Sequence, residues 1–200
     1  MHWSKGMAAG VAVALLALQS VAFAAPEVYE FDTVHSQAGF KVRHFFSQVP
    51  GRFDAFTGTV NWDEADPTKS SVEIVIQATS INTGSAKRDE HLRSADFFDV
   101  VKFPTLTFKS TKIAPAEAPN RFKVSGDLTM RGVTKPIVVE LEVLGVGETP
   151  MGKRAGFIAT AKINRQDFGV SWNKTLDKGG TVLSDEVTVE FPIEAAKKSS

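Results

Sequence analysis

The chain has 200 residues, with 23 Lys and Arg against 23 Asp and Glu, four His and no Cys. That length fits one domain or two small ones, and it buries enough surface to fold without a disulfide or metal staple. The missing thiols exclude a disulfide framework, a thiolate metal site, a cysteine nucleophile and a lipidated N-terminal cysteine, while formal neutrality argues against a nucleic-acid binder.

Residues 1–24 are laid out as a secretory signal. His2 and Lys5 open the segment, Met7–Leu18 is an apolar run, Gln19 and Ser20 break it, and Ala22-Phe23-Ala24 offers small residues for cleavage. At 1.5 Å per residue the run covers roughly 18 Å, short of the ~30 Å hydrocarbon core. The expectation is a cleaved signal over 1–24, and an exported domain over 25–200 that does not span a membrane.

Period-two patterning dominates the chain from residue 25 onward. Val72, Ile74, Ile76 and Ala78 alternate with more polar neighbours, as do Phe122, Val124, Gly126 and Leu128. Ile137, Val139, Leu141 and Val143 repeat the pattern, and so do Val187, Val189, Phe191 and Ile193. Further strand candidates are Val28–Thr33, Gln37–Phe45, Arg52–Asn61, Thr105–Lys112 and Arg154–Asn164. Eight or nine strands result, depending on whether the first two are one bent strand. Turn signals fall at Pro50-Gly51, Asp66-Pro67, Ala118-Pro119-Asn120, Met130-Arg131-Gly132, Gly147 to Gly152, and Gly179-Gly180. One short helix is expected over Ser85–Ser94, with Ser85 as N-cap.

Many antiparallel strands and one helix leave a closed barrel or a two-sheet sandwich, and alternation alone does not separate them. Two features point to a barrel with a lumen. Ala159 and Ala161 are small residues on the face shared with Phe157 and Ile163, and 15 Phe against one Tyr make an aromatic surface almost free of hydroxyls. Those phenylalanines would equally fill a solid core.

Residue types for chemistry are sparse. Asp32, His35 and Ser36 supply the elements of a hydrolytic triad, but adjacent strand residues point to opposite faces, which separates His35 from Ser36. No Gly-x-Ser-x-Gly elbow, phosphate-binding loop or dinucleotide fingerprint occurs. His35, His44 and His91 could hold a metal only if the fold brought them together, since their spacing matches no ligand motif. A non-lipid interaction protein is a third reading.

Several stretches carry a family pattern. The strongest runs from Arg88-Asp89-Glu90-His91-Leu92-Arg93-Ser94-Ala95-Asp96-Phe97-Phe98-Asp99 through Phe103-Pro104 to Phe108-Lys109-Ser110. Asp32-Thr33-Val34-His35-Ser36, Phe40-Lys41-Val42-Arg43-His44, Val49 to Phe53, and Ser80-Ile81-Asn82-Thr83 precede it. Gly126-Asp127-Leu128-Thr129, Gly132-Val133-Thr134-Lys135-Pro136 and Ile163-Asn164-Arg165-Gln166-Asp167-Phe168-Gly169 come after it. In this order they resemble the YceI-like family of periplasmic proteins over nearly the whole exported chain.

The resemblance implies an all-β, eight-stranded antiparallel, lipocalin-like barrel with an elongated apolar cavity. It implies a long-chain amphiphilic lipid of isoprenoid or quinone type as ligand, held without a cofactor, metal or catalysis. Homodimers and transient membrane contact are compatible with it. Wall candidates for the lipid tail are Phe40, Val42, Phe53, Phe108, Leu128, Phe157, Ala159 and Ile163. The basic residues inside the family-like motifs, Arg43, His44, Arg88, His91 and Arg93, are candidates for the head group. Pairing of Arg88 and Arg93 with Asp89, Asp96 or Asp99 is the simpler alternative for those two.

Overall fold

The computed structural model describes residues 25–175 and 181–199, so the expected signal and the Gly179-Gly180 turn lie outside the described residues. The elements are β1 (Glu27–Phe31), β2 (Ala38–His44), β3 (Ser47–Phe53), β4 (Phe56–Trp62), β5 (Ser71–Gln77), β6 (Ile81–Asn82), α1 (Ala86–Arg93), β7 (Thr105–Pro115), β8 (Arg121–Met130), β9 (Val133–Thr149), β10 (Gly152–Asn164) and β11 (Leu183–Lys197). Hydrogen bonding runs β1-β4-β5-β7-β8-β9-β10-β11, and β11 returns to β1. Eight antiparallel strands therefore form a closed barrel, which removes the sandwich alternative. β2, β3 and β6 continue from β11 as a flap.

The barrel closes where β11 pairs with β1, and the same edge of β11 also carries the flap. The end of β11 pairs with β1 (Tyr29 with Lys197, Phe31 with Ala195), and its beginning pairs with β2 (Phe40 with Val189, Val42 with Val187). The first two strand candidates are thus separate strands on one edge. Between them the chain loops outward, and Gln37 N donates to Pro192 O at 3.0 Å. The amide hydrogen that proline lacks would face this same gap, so Pro192 costs the barrel no ladder bond.

Three local expectations are corrected. The candidate strand Arg52–Asn61 is broken at Asp54-Ala55, where Asp54 accepts from Arg52 Nε at 2.6 Å and Asn82 Nδ2 at 2.7 Å. Pro50-Gly51 is no turn but part of β3, facing Lys41 and Phe40 across the ladder, on an edge strand that tolerates proline. The helix forms, but the Ser85 hydroxyl makes no capping bond. Buried Asp89 organises that end from inside, accepting from Thr83 N at 2.9 Å and Thr83 Oγ1 at 2.5 Å. The Met130-Arg131-Gly132 signal does turn the chain, with φ of 50° at Arg131 and 75° at Gly132 joining β8 to β9.

Candidate functional site: an apolar cavity inside the barrel

The inward faces of the strands do not meet. They enclose a cavity of about 400 Å³, within the usual range for small-molecule sites. Its wall follows strand parity: Val72, Ile74 and Ile76 on β5, Ile137, Val139 and Leu141 on β9, and Val187, Val189, Phe191 and Ile193 on β11. Phe40 and Val42 on β2, Phe53 on β3, Phe108 on β7, Leu128 on β8, and Phe157, Ala159 and Ile163 on β10 all border the same space. The lining on β11 extends from Leu183 to Ile193, about 33 Å of strand.

The two ends differ in chemistry. Near Ile193 the wall is aromatic, with Trp62 edge-on to Phe157 at 5.5 Å between ring centroids and to Phe122 at 6.2 Å. Near Leu183 lie His44, Arg88, His91 and Trp172. The His91 ring meets Phe97 and Trp172 edge-on at 5.0 and 5.1 Å, and its Nε2 lies 2.8 Å from Asp96 Oδ2.

The five head-group candidates do not converge. His44, Arg88 and His91 border the cavity, whereas Arg43 and Arg93 do not. Arg43 lies between two inward positions of β2, so it points outward, and its Nη1 donates to Phe45 O at 2.8 Å. Arg93 donates from Nε to Thr79 O at 2.7 Å and from Nη2 to Ile81 O at 2.8 Å, tying α1 to the segment before it. Arg88 likewise turns back on Thr83, reaching Oγ1 and the carbonyl at 2.7 Å each. The expected carboxylate pairs of Arg88 and Arg93 are not formed. Asp89 is taken by Thr83, Asp96 faces His91, and Asp99 pairs with Lys102 at 3.4 Å.

Arg165 is a cavity-lining cation that patterning did not single out. It is 5% exposed and donates to Val170 O at 2.6 Å, Trp172 O at 2.9 Å and Ser184 O at 2.9 Å, with Asp185 Oδ1 at 3.3 Å from Nη2. Burial pulls its pKa down from the ordinary arginine value, and the Asp185 charge opposes that shift. Its role is to tie the segment that carries Trp172, through the Val170 and Trp172 carbonyls, to Ser184 at the start of β11. Arg165 begins a short 3-10 turn after β10, where strand parity gives no guidance.

A second polar cluster lies on the seam between β1 and β11. His35 Nδ1 is 3.0 Å from Asp32 Oδ2, and Arg154 Nη1 is 2.9 Å from the same oxygen and 3.6 Å from Glu194 Oε1. His35 above all, then the Val34 amide and Arg154, hold the Asp32 carboxyl down at about 2, and His35 is raised in return. Ser36 is spent on the backbone, its hydroxyl donating to Glu194 O at 3.1 Å and accepting from Glu194 N at 3.0 Å. His35 and Ser36 therefore form no nucleophile–base pair, and the triad expected of Asp32, His35 and Ser36 is not assembled. The three histidines do not converge either. Among the described residues His35 groups with Asp32 and Glu194, their ligand atoms within 4.8 Å of one another, and the Arg154 guanidinium already supplies the positive charge there.

This geometry has relatives. A YceI-like domain matches residues 29–195. The chain belongs to the YceI-like family. A UPF0312 protein of Vibrio parahaemolyticus is 39% identical over 193 residues, covering 96% of this chain and 97% of its own. Among solved structures, Burkholderia cenocepacia BcnA superposes with a TM-score of 0.74 at 26% identity, covering 83% of this chain and 99% of that one. A domain from Saccharophagus degradans, described as polyisoprenoid-binding, superposes with a TM-score of 0.64 over 85% of this chain and 98% of its own. At 20% identity that last likeness shows the shared fold alone.

Within this YceI-like barrel, two tryptophans mark the cavity's ends. Trp62 closes β4 and continues the alternation of Phe56, Gly58 and Val60 one position past the expected strand end at Asn61, whereas Trp172 stands in an irregular segment with no periodicity to assign it a face.

Proposed function

We propose that the protein holds a long-chain isoprenoid-type amphiphile in the barrel cavity, as a periplasmic reservoir or carrier without catalytic activity. The observation that carries this reading is a cavity walled by aliphatic and aromatic side chains from Leu183 to Ile193 along β11. Each methylene withdrawn from water contributes roughly 0.8 kcal/mol, and a bilayer offers the same gain. Exchange with a membrane is then close to balanced, which suits a carrier. The polyisoprenoid-binding description of the Saccharophagus degradans domain is consistent with the ligand class.

Arg88 and Arg165 border the cavity but donate to backbone carbonyls. A pyrophosphate needs uncommitted guanidinium forks. The His44 ring and the His91 Nδ1, on the far side of the ring from the Asp96 contact, suit an uncharged head group with hydrogen-bonding oxygens, such as a quinone. The signal-like layout of residues 1–24 supports export.

Native mass spectrometry of the mature protein from its own periplasm, with organic extraction, tests the reading. The expected result is one prenyl or quinone mass at near-stoichiometric amount. Bare polypeptide that stays empty after incubation with such lipids would overturn it in favour of an interaction protein.

A further inference from the structure

The β2–β3 hairpin ends in two phenylalanines that the core does not use. Phe46 is fully exposed and Phe45 is 38% exposed. Phe45 has φ of 49°, a left-handed conformation that bulky L-residues rarely adopt and that tight hairpins ordinarily assign to glycine or asparagine. The fold holds it there. Phe45 N donates to Val182 O at 3.0 Å, Arg43 Nη1 donates to Phe45 O, and the His44 ring meets the Phe45 ring edge-on at 4.5 Å. An aromatic kept at a position that favours glycine, with a second one projecting beside it, points to a use outside the fold.

The position of this tip suggests the use. His44 and Val49 flank it, Val182 and Leu183 lie alongside, and all four border the cavity. Cations accompany the rings: Arg43 precedes them, and Lys174 is joined through Val182, whose N donates to Lys174 O at 3.1 Å. Neither Arg43 nor Lys174 forms an ion pair among the described residues.

We propose that the Phe45–Phe46 tip docks on a bilayer containing anionic lipid. The two rings enter the interfacial layer, Lys174 and the Arg43 nitrogens other than the Nη1 that holds Phe45 O meet phosphates, and the polar end of the cavity is brought against the membrane. Aromatic rings next to basic groups are the side chains that this layer accepts. The choice of a bilayer over a protein partner rests on the lipid-carrier reading, because an insoluble cargo must enter and leave at a membrane.

Flotation of the mature chain with vesicles of phosphatidylethanolamine and phosphatidylglycerol (3:1), against phosphatidylcholine alone, tests it. Wild type is expected to float with the anionic vesicles, and Phe46→Glu to bind them at least about tenfold more weakly. Phe46 makes no buried contact, so the fold should survive; Phe45→Gly, which relieves the backbone, provides a second variant. Arg43→Ala with Lys174→Ala should abolish the preference for phosphatidylglycerol. A wild type that stays with the soluble fraction, or a Phe46→Glu variant that floats equally well, overturns the proposal. So does a dimer that Phe46→Glu splits in sedimentation velocity with flotation unchanged, which would assign the tip to a second copy. Bound lipid is measured on the same samples by native mass spectrometry. Lipid-loaded protein that does not float refutes docking alone, and lipid-free protein that floats refutes the carrier reading alone.

Discussion

Phe108 and Gly126, on neighbouring strands β7 and β8, share one volume: a Cβ on Gly126 would stand 2.5 Å from Phe108 Cζ and 2.5 Å from the Lys109 carbonyl oxygen. The missing side chain is what lets the ring settle against the sheet and the cavity keep its width. Gly126→Val forces the ring into the lumen and crowds the backbone. The expected cost is about 1–3 kcal/mol of stability, read from the urea unfolding midpoint, together with reduced lipid occupancy.

Ala159 is half-buried on the cavity side of β10, opposite Leu141 on β9 and Phe191 on β11. Ala159→Trp should fill the lumen from a rigid strand rather than from a loop. Lipid occupancy in native mass spectra is expected to fall more than tenfold while the thermal midpoint stays near that of wild type. A folded variant carrying as much lipid as wild type would place the tail elsewhere.

The arginines divide by what they hold. Arg165→Met leaves three gathered carbonyls without their donor and is expected to cost about 3 kcal/mol. Arg93→Ala removes two bonds to carbonyls of the segment before α1 and should cost about 1–2 kcal/mol. Arg43→Ala, outward-facing, should stay within about 0.5 kcal/mol of wild type and take up lipid from detergent solution, where no bilayer docking is involved, as wild type does. Chemical denaturation and lipid extraction on the three variants separate these outcomes, and an Arg43→Ala protein that stays empty after loading from detergent would restore Arg43 as a head-group ligand.

Acid sensitivity should concentrate at the barrel seam. Glu27 accepts from Lys153 Nζ at 2.7 Å, Lys197 Nζ at 2.6 Å and the Tyr29 hydroxyl at 2.7 Å, and these bonds, that of Lys153 first, hold its pKa at about 2. The folded value lies below the ordinary 4.5, so the stabilisation is complete above that pH and is lost as pH falls toward 2. Asp32, also at about 2, weakens over a similar range. Glu27→Gln should lose about 1 kcal/mol at pH 7 and show a shallower decline of the urea midpoint between about pH 5 and 2. Equal slopes in variant and wild type would remove Glu27 from the acid response.

Strand parity reached far into this protein. Phe157, Ala159 and Ile163 share a face because successive strand side chains alternate, and that periodicity is local and survives in the sequence. The same rule places Arg43 outward and His44 inward, which separates two neighbours that composition groups together. Asp54-Ala55 escaped notice because the break is imposed by partners distant in sequence, Ser80 and Asn82. Arg165 and Trp172 escaped because they lie outside the regular strands, where no period assigns a face.

Alternation, turn chemistry and the run of motifs therefore sufficed for an all-β chain, its approximate strands and its family resemblance, since each depends on residues within a few positions of one another. Closure of the barrel required β11, the last strand, to return to β1, the first, while the rest of the same edge took β2. The commitment of Arg88, Arg93 and Arg165 to carbonyls, and the meeting of Phe45 with Val182, also arise from contacts that only the folded chain creates. Hydrogen bonds go to whichever partner the fold brings within about 3 Å, and sequence spacing does not encode that distance.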